Sequence, residues 1–209
     1  MIDGWVSKLR KYRAIAVIRA SHLELGWHMA NAVAAGGVKL IEITWNSSNA
    51  GNLINKLRSE LPDCIIGTGT VLNLRDLNNA ISAGAEYVFT PHVDPELITA
   101  SIKKNIPMNP GALTPTEIIS AWNLGVPCIK VFPVQSLGGA NYIKSLQGPL
   151  GHIPLIPTGG VTLENAHNFL QAGAIAVGVS SELFPKPLIE TGNWDAIVQN
   201  AQTLVQMIA

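Results

Sequence analysis

Two charged side chains stand alone inside apolar runs, and each is of a type that does chemistry when it is kept dry. Lys130 sits in PCIKVFP, which begins at Pro127, and Glu42 sits in LIEITW, which begins at Leu40. An ammonium in the middle of a buried strand is costly unless it is paired or used. Desolvation favours the neutral amine and lowers its pKa, the state that a Schiff-base nucleophile needs near neutral pH. A lone strand carboxyl is pushed toward its protonated form, which suits a group that must move protons to and from a bound intermediate. The plainer alternative is a structural ion pair between Lys130 and Glu42. The two readings are compatible, because an ion pair in the free protein becomes an acid–base pair once substrate arrives.

Other residues supply anion contacts. In PTGGVT from Pro157, Gly159 and Gly160 fall where a strand gives way to a helix. Backbone amides in such a turn bind phosphate, and a helix starting near residue 163 adds its positive end. GVSS from Gly178 offers further amides and hydroxyls. For either segment alone the alternative is an ordinary tight turn. Arg19 ends an apolar run and can hold a carboxylate or phosphate by a two-pronged contact, the alternative being a surface ion pair. Thr70 in the TGT run, Pro91, and Pro110 with Gly111 are expected to line the same mouth. Of the five histidines, His22, His28, His92, His152 and His167, none shows metal-ligand spacing such as H-E-x-x-H, and no cysteine pair sits at two-residue spacing, so no metal is expected. His92 alone falls where it could touch substrate, against the alternative of a solvated loop residue. Cys64 and Cys128 read as small packed hydrophobes.

The elements that must position these groups recur along the chain. Eight β-branched runs read as strands: AIAVIR from Ala14, KLIEIT from Lys39, CIIGTG from Cys64, EYVFTP from Glu86, IPMNPG from Ile106, CIKVFP from Cys128, PLIPTG from Pro154 and IAVGVS from Ile175. Between them, apolar residues at helical spacing predict helices over 23–35, 53–61, 74–83, 96–104, 115–124, 140–146 and 163–172, with a last one over 194–208. A small residue and glycine close several of these helices, as in AAGG, SAGA and QAGA. Residues 3–12 predict an extra N-terminal helix across one end, and 184–193 a proline-rich loop. Strands too continuous to have a wet face, alternating with helices, imply a parallel sheet covered by helices. Eight such units favour a single (β/α)8 TIM-barrel domain over residues 1–209. In that fold reacting groups sit at the C-terminal strand ends and phosphate binds after the seventh and eighth strands. A doubly wound open sheet is the rival, and no G-x-G-x-x-G turn follows the first strand to support it.

Composition narrows the partners. The chain has 209 residues, 47% hydrophobic and 13% charged, so much of it must be buried. Fourteen basic residues balance fourteen acidic ones. That balance gives no general attraction to nucleic acid or to an anionic membrane, so any bound anion is held locally. Low surface charge favours self-association. Charges interrupt the first fourteen residues, MIDGWVSKLRKYRA, so neither a signal peptide nor a membrane span is expected there, and a cytoplasmic location follows.

Taken in order, LIEIT around Glu42, IGTGTVLN from Ile66, FTPHVDPELI from Phe89, NPGALTPTE from Asn109, IKVFP from Ile129 and PTGGVT from Pro157 resemble the 2-keto-3-deoxy-6-phosphogluconate (KDPG) and 4-hydroxy-2-oxoglutarate aldolases nearly end to end. The resemblance implies a class I aldolase that needs no metal and forms trimers. It implies that the enzyme reversibly cleaves the phosphorylated keto acid to pyruvate and glyceraldehyde 3-phosphate. It matches Lys130 to the Schiff-base lysine and Glu42 to the general acid/base. Thr158, Gly159, Gly160 and Ser180 match the phosphate-binding segments, Thr70 and Pro91 the pocket lining, and Arg19 a substrate anion contact. One position departs: Asn46 stands where the gluconate enzymes commonly carry arginine, and in this the chain resembles the sister 2-keto-3-deoxy-6-phosphogalactonate aldolases. SSEL from Ser180 and ANYIK from Ala140 lean the same way, while LQGPL from Leu146 leans back. Two other classes stay open: a barrel that only binds a sugar phosphate, and an isomerase or epimerase in which Glu42 is the base and Lys130 merely orients substrate.

Overall fold

Each of the eight β-branched runs contributes extended chain in the computed structural model, which describes residues 4–209. The strands are β1 (Ala14–Ile18), β2 (Leu40–Thr44), β3 (Ile65–Gly69), β4 (Val88–Phe89), β5 (Met108–Asn109), β6 (Gly111–Ala112), β7 (Ile129–Val131), β8 (Leu155–Pro157) and β9 (Val177–Val179). The fifth run yields both β5 and β6, because Pro110 between them has no N–H to give a ladder. Every pairing is parallel. One sheet has the order β5-β4-β3-β2-β1-β9 and the other β6-β7-β8. A parallel bridge between Thr158 and Gly178 links the end of β8 to β9. The architecture is α/β, with parallel strands and helical connections.

The helices are α1 (Trp5–Tyr12), α2 (Leu23–Ala35), α3 (Ala50–Glu60), α4 (Leu74–Ser82), α5 (Pro95–Lys103), α6 (Pro115–Trp122), α7 (Ala140–Leu150), α8 (Ala166–Gln171), α9 (Lys186–Thr191) and α10 (Trp194–Met207). Local chemistry sets their starts. Asp94 accepts from the amides of Glu96 and Leu97 ahead of α5, and Thr114 with Glu117 forms a capping box ahead of α6. Several boundaries differ from the periodicity, two of them at prolines. Residues 184–193 are not all loop, because Pro187 falls in the first turn of α9, where a missing N–H costs nothing, and Gly192 ends the helix at φ 64°. Helix α7 runs past residue 146 to Leu150 with Pro149 in its last turn, where the ring forgoes a bond to the Ser145 carbonyl and the helix ends one residue later. No helix among the described residues is long and apolar enough to cross a membrane.

Strand alternation divides the core in two. Ile41 and Ile43 of β2 pack outward into the layer under the helices, while Leu40 belongs to an inner cluster with Trp5, Leu9, Ile15, Tyr87, Phe89, Cys128 and Ile156. Helix α1 seals this inner cluster, as the sequence predicts, although residue 3 of the expected 3–12 helix lies outside the described residues. The Trp5 ring stacks on Tyr87 at 4.5 Å between centroids, and Trp5 Nε1 donates to Asn109 Oδ1 at 2.8 Å. Asn109 Oδ1 also accepts from the Cys128 thiol, and its Nδ2 donates to the Val88 carbonyl, so the Asn109 amide and the Trp5 and Cys128 donors are satisfied.

Candidate active site

The inner face of β2 carries Leu40, Glu42 and Thr44 in succession, and the register sets Glu42 opposite Gly67 of β3. Glu42 is 2% exposed. Its carboxyl fits only because position 69 of β3 has no side chain: a Cβ on Gly69 would overlap the carboxylate itself. Across the interior, β7 presents Lys130, 7% exposed, with its Nζ 4.7 Å from the Phe132 ring centroid and 5.8 Å from that of Phe89. Among the described residues no ion pair within 4.0 Å joins Lys130 to Glu42. Their charges still influence one another. Burial pushes the Lys130 amine below its ordinary range, Glu42 pulls it partly back, and Arg19 lowers it again. Burial raises the Glu42 carboxyl, against smaller opposing effects of Lys130 and Arg19. Burial thus biases both groups toward their neutral forms, while each charge works against that bias in the other.

The two share a cavity of about 320 Å³. Its lining brings together the nine residues that the family resemblance singles out: Lys130, Glu42, Arg19, Thr70, Pro91, Thr158, Gly159, Gly160 and Ser180. Thr70 adopts φ 58°, a left-handed conformation that is uncommon for a β-branched residue and marks local strain at this wall. Gly159 and Gly160 take φ of 86° and 89° in succession. The turn is pinned from behind, because Val134 and Gln135 donate their amides to the carbonyls of Thr158 and Gly159 at 3.0 and 3.1 Å. The Ser180 hydroxyl donates to the Val17 carbonyl at 2.9 Å, which ties the end of β9 to β1.

A larger hollow of about 420 Å³ lies elsewhere, around Arg10, Arg13 and His167, and holds neither member of the buried pair. The smaller cavity is the chemical one, since it contains the two perturbed groups. Among the described residues no cluster of three His, Cys, Asp or Glu side chains could hold a metal ion. Cys128, beneath Lys130 on the same face of the chain, has its thiol pushed far up by burial and stays protonated.

Two expectations need correction, and His92 keeps to its plainer alternative. Helix α8 starts at Ala166 rather than near residue 163, because Thr162 and Asn165 side chains bond each other's backbone amides and hold the intervening turn open. The glycine turn is therefore not capped directly by a helix end. Pro110 and Gly111 do not line the cavity; Gly111 faces a neighbouring hollow, where an added Cβ would meet the Pro91 backbone. His92 lines that same hollow, its Nε2 3.9 Å from Asp94 Oδ2. Conversely, Thr44 and Phe132 line the cavity without having been singled out. Each stands two residues beyond a charged neighbour on the same inward face, so strand alternation is the signal that finds them.

The glycine turn yields a direct prediction. An alanine at 160 would be strained at φ 89°, and its Cβ would overlap Gln135. Gly160→Ala is expected to weaken inorganic phosphate binding by about 5- to 30-fold, the scale of a left-handed penalty of ~1–2 kcal/mol. Calorimetric titration with phosphate measures it; unchanged affinity would place the anion elsewhere.

Comparison with known proteins gives the arrangement a family. The family model described as KDPG and KHG aldolase matches residues 6–200. A 2-dehydro-3-deoxy-phosphogluconate aldolase from Haemophilus influenzae is 32% identical over 203 residues, 97% of this chain and 96% of that protein. A KHG/KDPG aldolase from Escherichia coli K12 is 31% identical over 192 residues, 92% of this chain and 90% of that one. A crystal structure of KDPG aldolase from Legionella pneumophila, with pyruvate captured at low pH as a covalent carbinolamine intermediate, superposes with a TM-score of 0.88 at 28% identity. That superposition covers 95% of this chain and 97% of the other. On a match that runs nearly end to end, this chain belongs to the KDPG and KHG aldolase family.

Proposed function

We propose that the protein is a class I aldolase that reversibly cleaves 2-keto-3-deoxy-6-phosphogluconate to pyruvate and glyceraldehyde 3-phosphate, with Lys130 forming the Schiff base and needing no metal. The observation that carries this reading is a dry amine and a dry carboxyl opening into one cavity beside a double-glycine turn. Lys130 Nζ attacks the C2 carbonyl, and Glu42 gives a proton to the departing hydroxyl of the carbinolamine, releasing water and leaving an iminium. Glu42, now ionised, takes the C4 hydroxyl proton. The C3–C4 bond breaks, its electron pair flows to the iminium nitrogen, and the aldehyde leaves. The resulting enamine takes a proton at C3 from Glu42, and water then hydrolyses the pyruvate imine to free Lys130. Arg19 anchors a substrate anion, while Gly159, Gly160 and Ser180 hold the distal phosphate beside Thr158. Thr70 and Pro91 wall the keto-acid end.

One observation favours a second reading, the galactonate epimer. Asn46 replaces the arginine common in the gluconate enzymes, and it lies exposed in the turn after β2. Assaying both epimers and 4-hydroxy-2-oxoglutarate decides the substrate. The chemistry is tested by reduction with borohydride in the presence of pyruvate, which should leave a three-carbon adduct on Lys130. An unmodified Lys130 in a fully active enzyme would end the proposal.

The same reading extends to architecture. Donation from Ile175 N–H to the Leu155 carbonyl, with the Thr158–Gly178 bridge, supports closure of the two sheets into one (β/α)8 barrel and one domain. Exposed Leu72, Ile119, Leu124 and Leu137 offer apolar surface for a homotrimer. A cytoplasmic setting accords with it.

A further inference from the structure

Strand β3 turns two alternate residues, Gly67 and Gly69, inward, and each makes room for a neighbour. The place beside Gly69 is taken by the Glu42 carboxyl, and the place beside Gly67 by the Tyr87 ring, whose Cδ2 and Cε2 would lie 2.5 Å from an added Cβ. Gly67 is also the ladder partner of Glu42. The ring of Tyr87 therefore lies one layer beneath the carboxyl, in the inner cluster of the fold. It is held there by Trp5, stacked at 4.5 Å, and by Phe89, edge-on at 5.8 Å. Tyr87 is fully buried, yet among the described residues its hydroxyl has no hydrogen-bond partner. Leaving such a group unsatisfied is destabilising, and phenylalanine would fill the same space without it. The oxygen is costly as structure, so its use must be sought in what lies above it.

We propose that Tyr87 is a positioning residue for Glu42: its clamped, unshared O–H is a rotatable dipole that turns toward the carboxylate whenever Glu42 is ionised. This rests on the reading of Glu42 as the acid–base group. In a dry interior a dipole acts on a charge without contact, and it costs the protein no rearrangement of the ring. Burial first, and the charge of Glu42 second, hold the phenol well above its ordinary range, so it remains a neutral donor throughout. The other groups that act on the pair are accounted for. Lys130 and Arg19 face Glu42 as cations. Glu86, which also acts on Tyr87, is occupied by Arg58 at 2.6 Å and by the Ile66 amide, and the Cys64 thiol donates to the Val38 carbonyl.

Tyr87→Phe removes one oxygen and keeps the ring, so the full-length variant can be compared directly with the parent. The measurement is the pH dependence of deuterium exchange into the methyl group of pyruvate, which reads proton transfer on the enamine without the aldehyde. Losing the dipole removes support for the ionised acid, so the limb governed by Glu42 should move to higher pH by about half a unit or more. An unmoved limb would overturn the proposal, whether the melting temperature rises or falls. Glu42→Gln separates the two readings: it should abolish the limb or the exchange altogether. A limb that persists there defeats the assignment of Glu42 and this inference with it, whereas a limb lost there but unmoved in Tyr87→Phe defeats only the role of Tyr87.

Discussion

Lys130→Arg lowers lyase turnover by about 10⁴-fold or more, the scale on which an enzyme fails when its nucleophile is removed. Arginine keeps a positive charge at the site, but it does not give up a proton at any working pH and cannot form the imine. If charge alone were needed to orient substrate, as in an isomerase, the variant would retain much of its rate, and that outcome would defeat the covalent mechanism. Because a permanent cation in so dry a place burdens folding, Lys130→Met provides the second arm. It is unbranched, one atom shorter and uncharged, and it should lose turnover equally. The sign of its effect on stability follows from linkage. Burial lowers the folded-state pKa of Lys130 below the ordinary 10.5. Between those two values the unfolded chain binds more protons, so stability falls as pH drops through the window. Methionine removes that penalty, and thermal melts at neutral pH should show a more stable protein that does no chemistry.

Glu42→Gln slows turnover by roughly a hundredfold or more, the usual contribution of one general acid–base group. Steady-state assay measures it directly, and a normal rate would assign the proton transfers elsewhere. Glutamine copies the shape of the protonated acid, so the cavity keeps its form. The pH behaviour is opposite in sense to that of the lysine. Burial raises the folded-state pKa of Glu42 above 4.5, and the folded protein then holds more protons than the unfolded chain in the window above that value. Stability contributed by the neutral acid is complete below 4.5 and is lost as pH rises through the folded pKa. The melting temperature of Glu42→Gln should therefore equal that of the parent in acid and exceed it as pH climbs.

How far these assignments were legible in the chain depended on whether a residue contradicts its neighbours. Lys130 and Glu42 are conspicuous because a charge interrupts an apolar strand, and the paired glycines at 159 and 160 because nothing else sits comfortably in that turn. The strands themselves followed from β-branched runs, and the N-terminal plug from apolar spacing in a short charged segment. What was not legible arises from pairings between distant residues. The role of Gly69 becomes visible only when β2 and β3 lie side by side and the Glu42 carboxyl occupies its vacancy. Helix α8 begins late because of an exchange between Thr162 and Asn165, a local bond that competes with helix formation and leaves no periodic trace. Likewise α9 hid behind its prolines, which read as a loop until one of them is seen to start a turn.

The stack of Trp5 beneath Tyr87 has a kinetic consequence. Rings fill the interior below the buried pair, and among the described residues the cavity that opens onto the amine lies on the other side. On the covalent reading the aldehyde fragment leaves while pyruvate is still bonded to Lys130, and the keto acid follows only after hydrolysis. The order of release follows from the bond to nitrogen, and the stacked rings beneath keep the tethered keto acid on the cavity side.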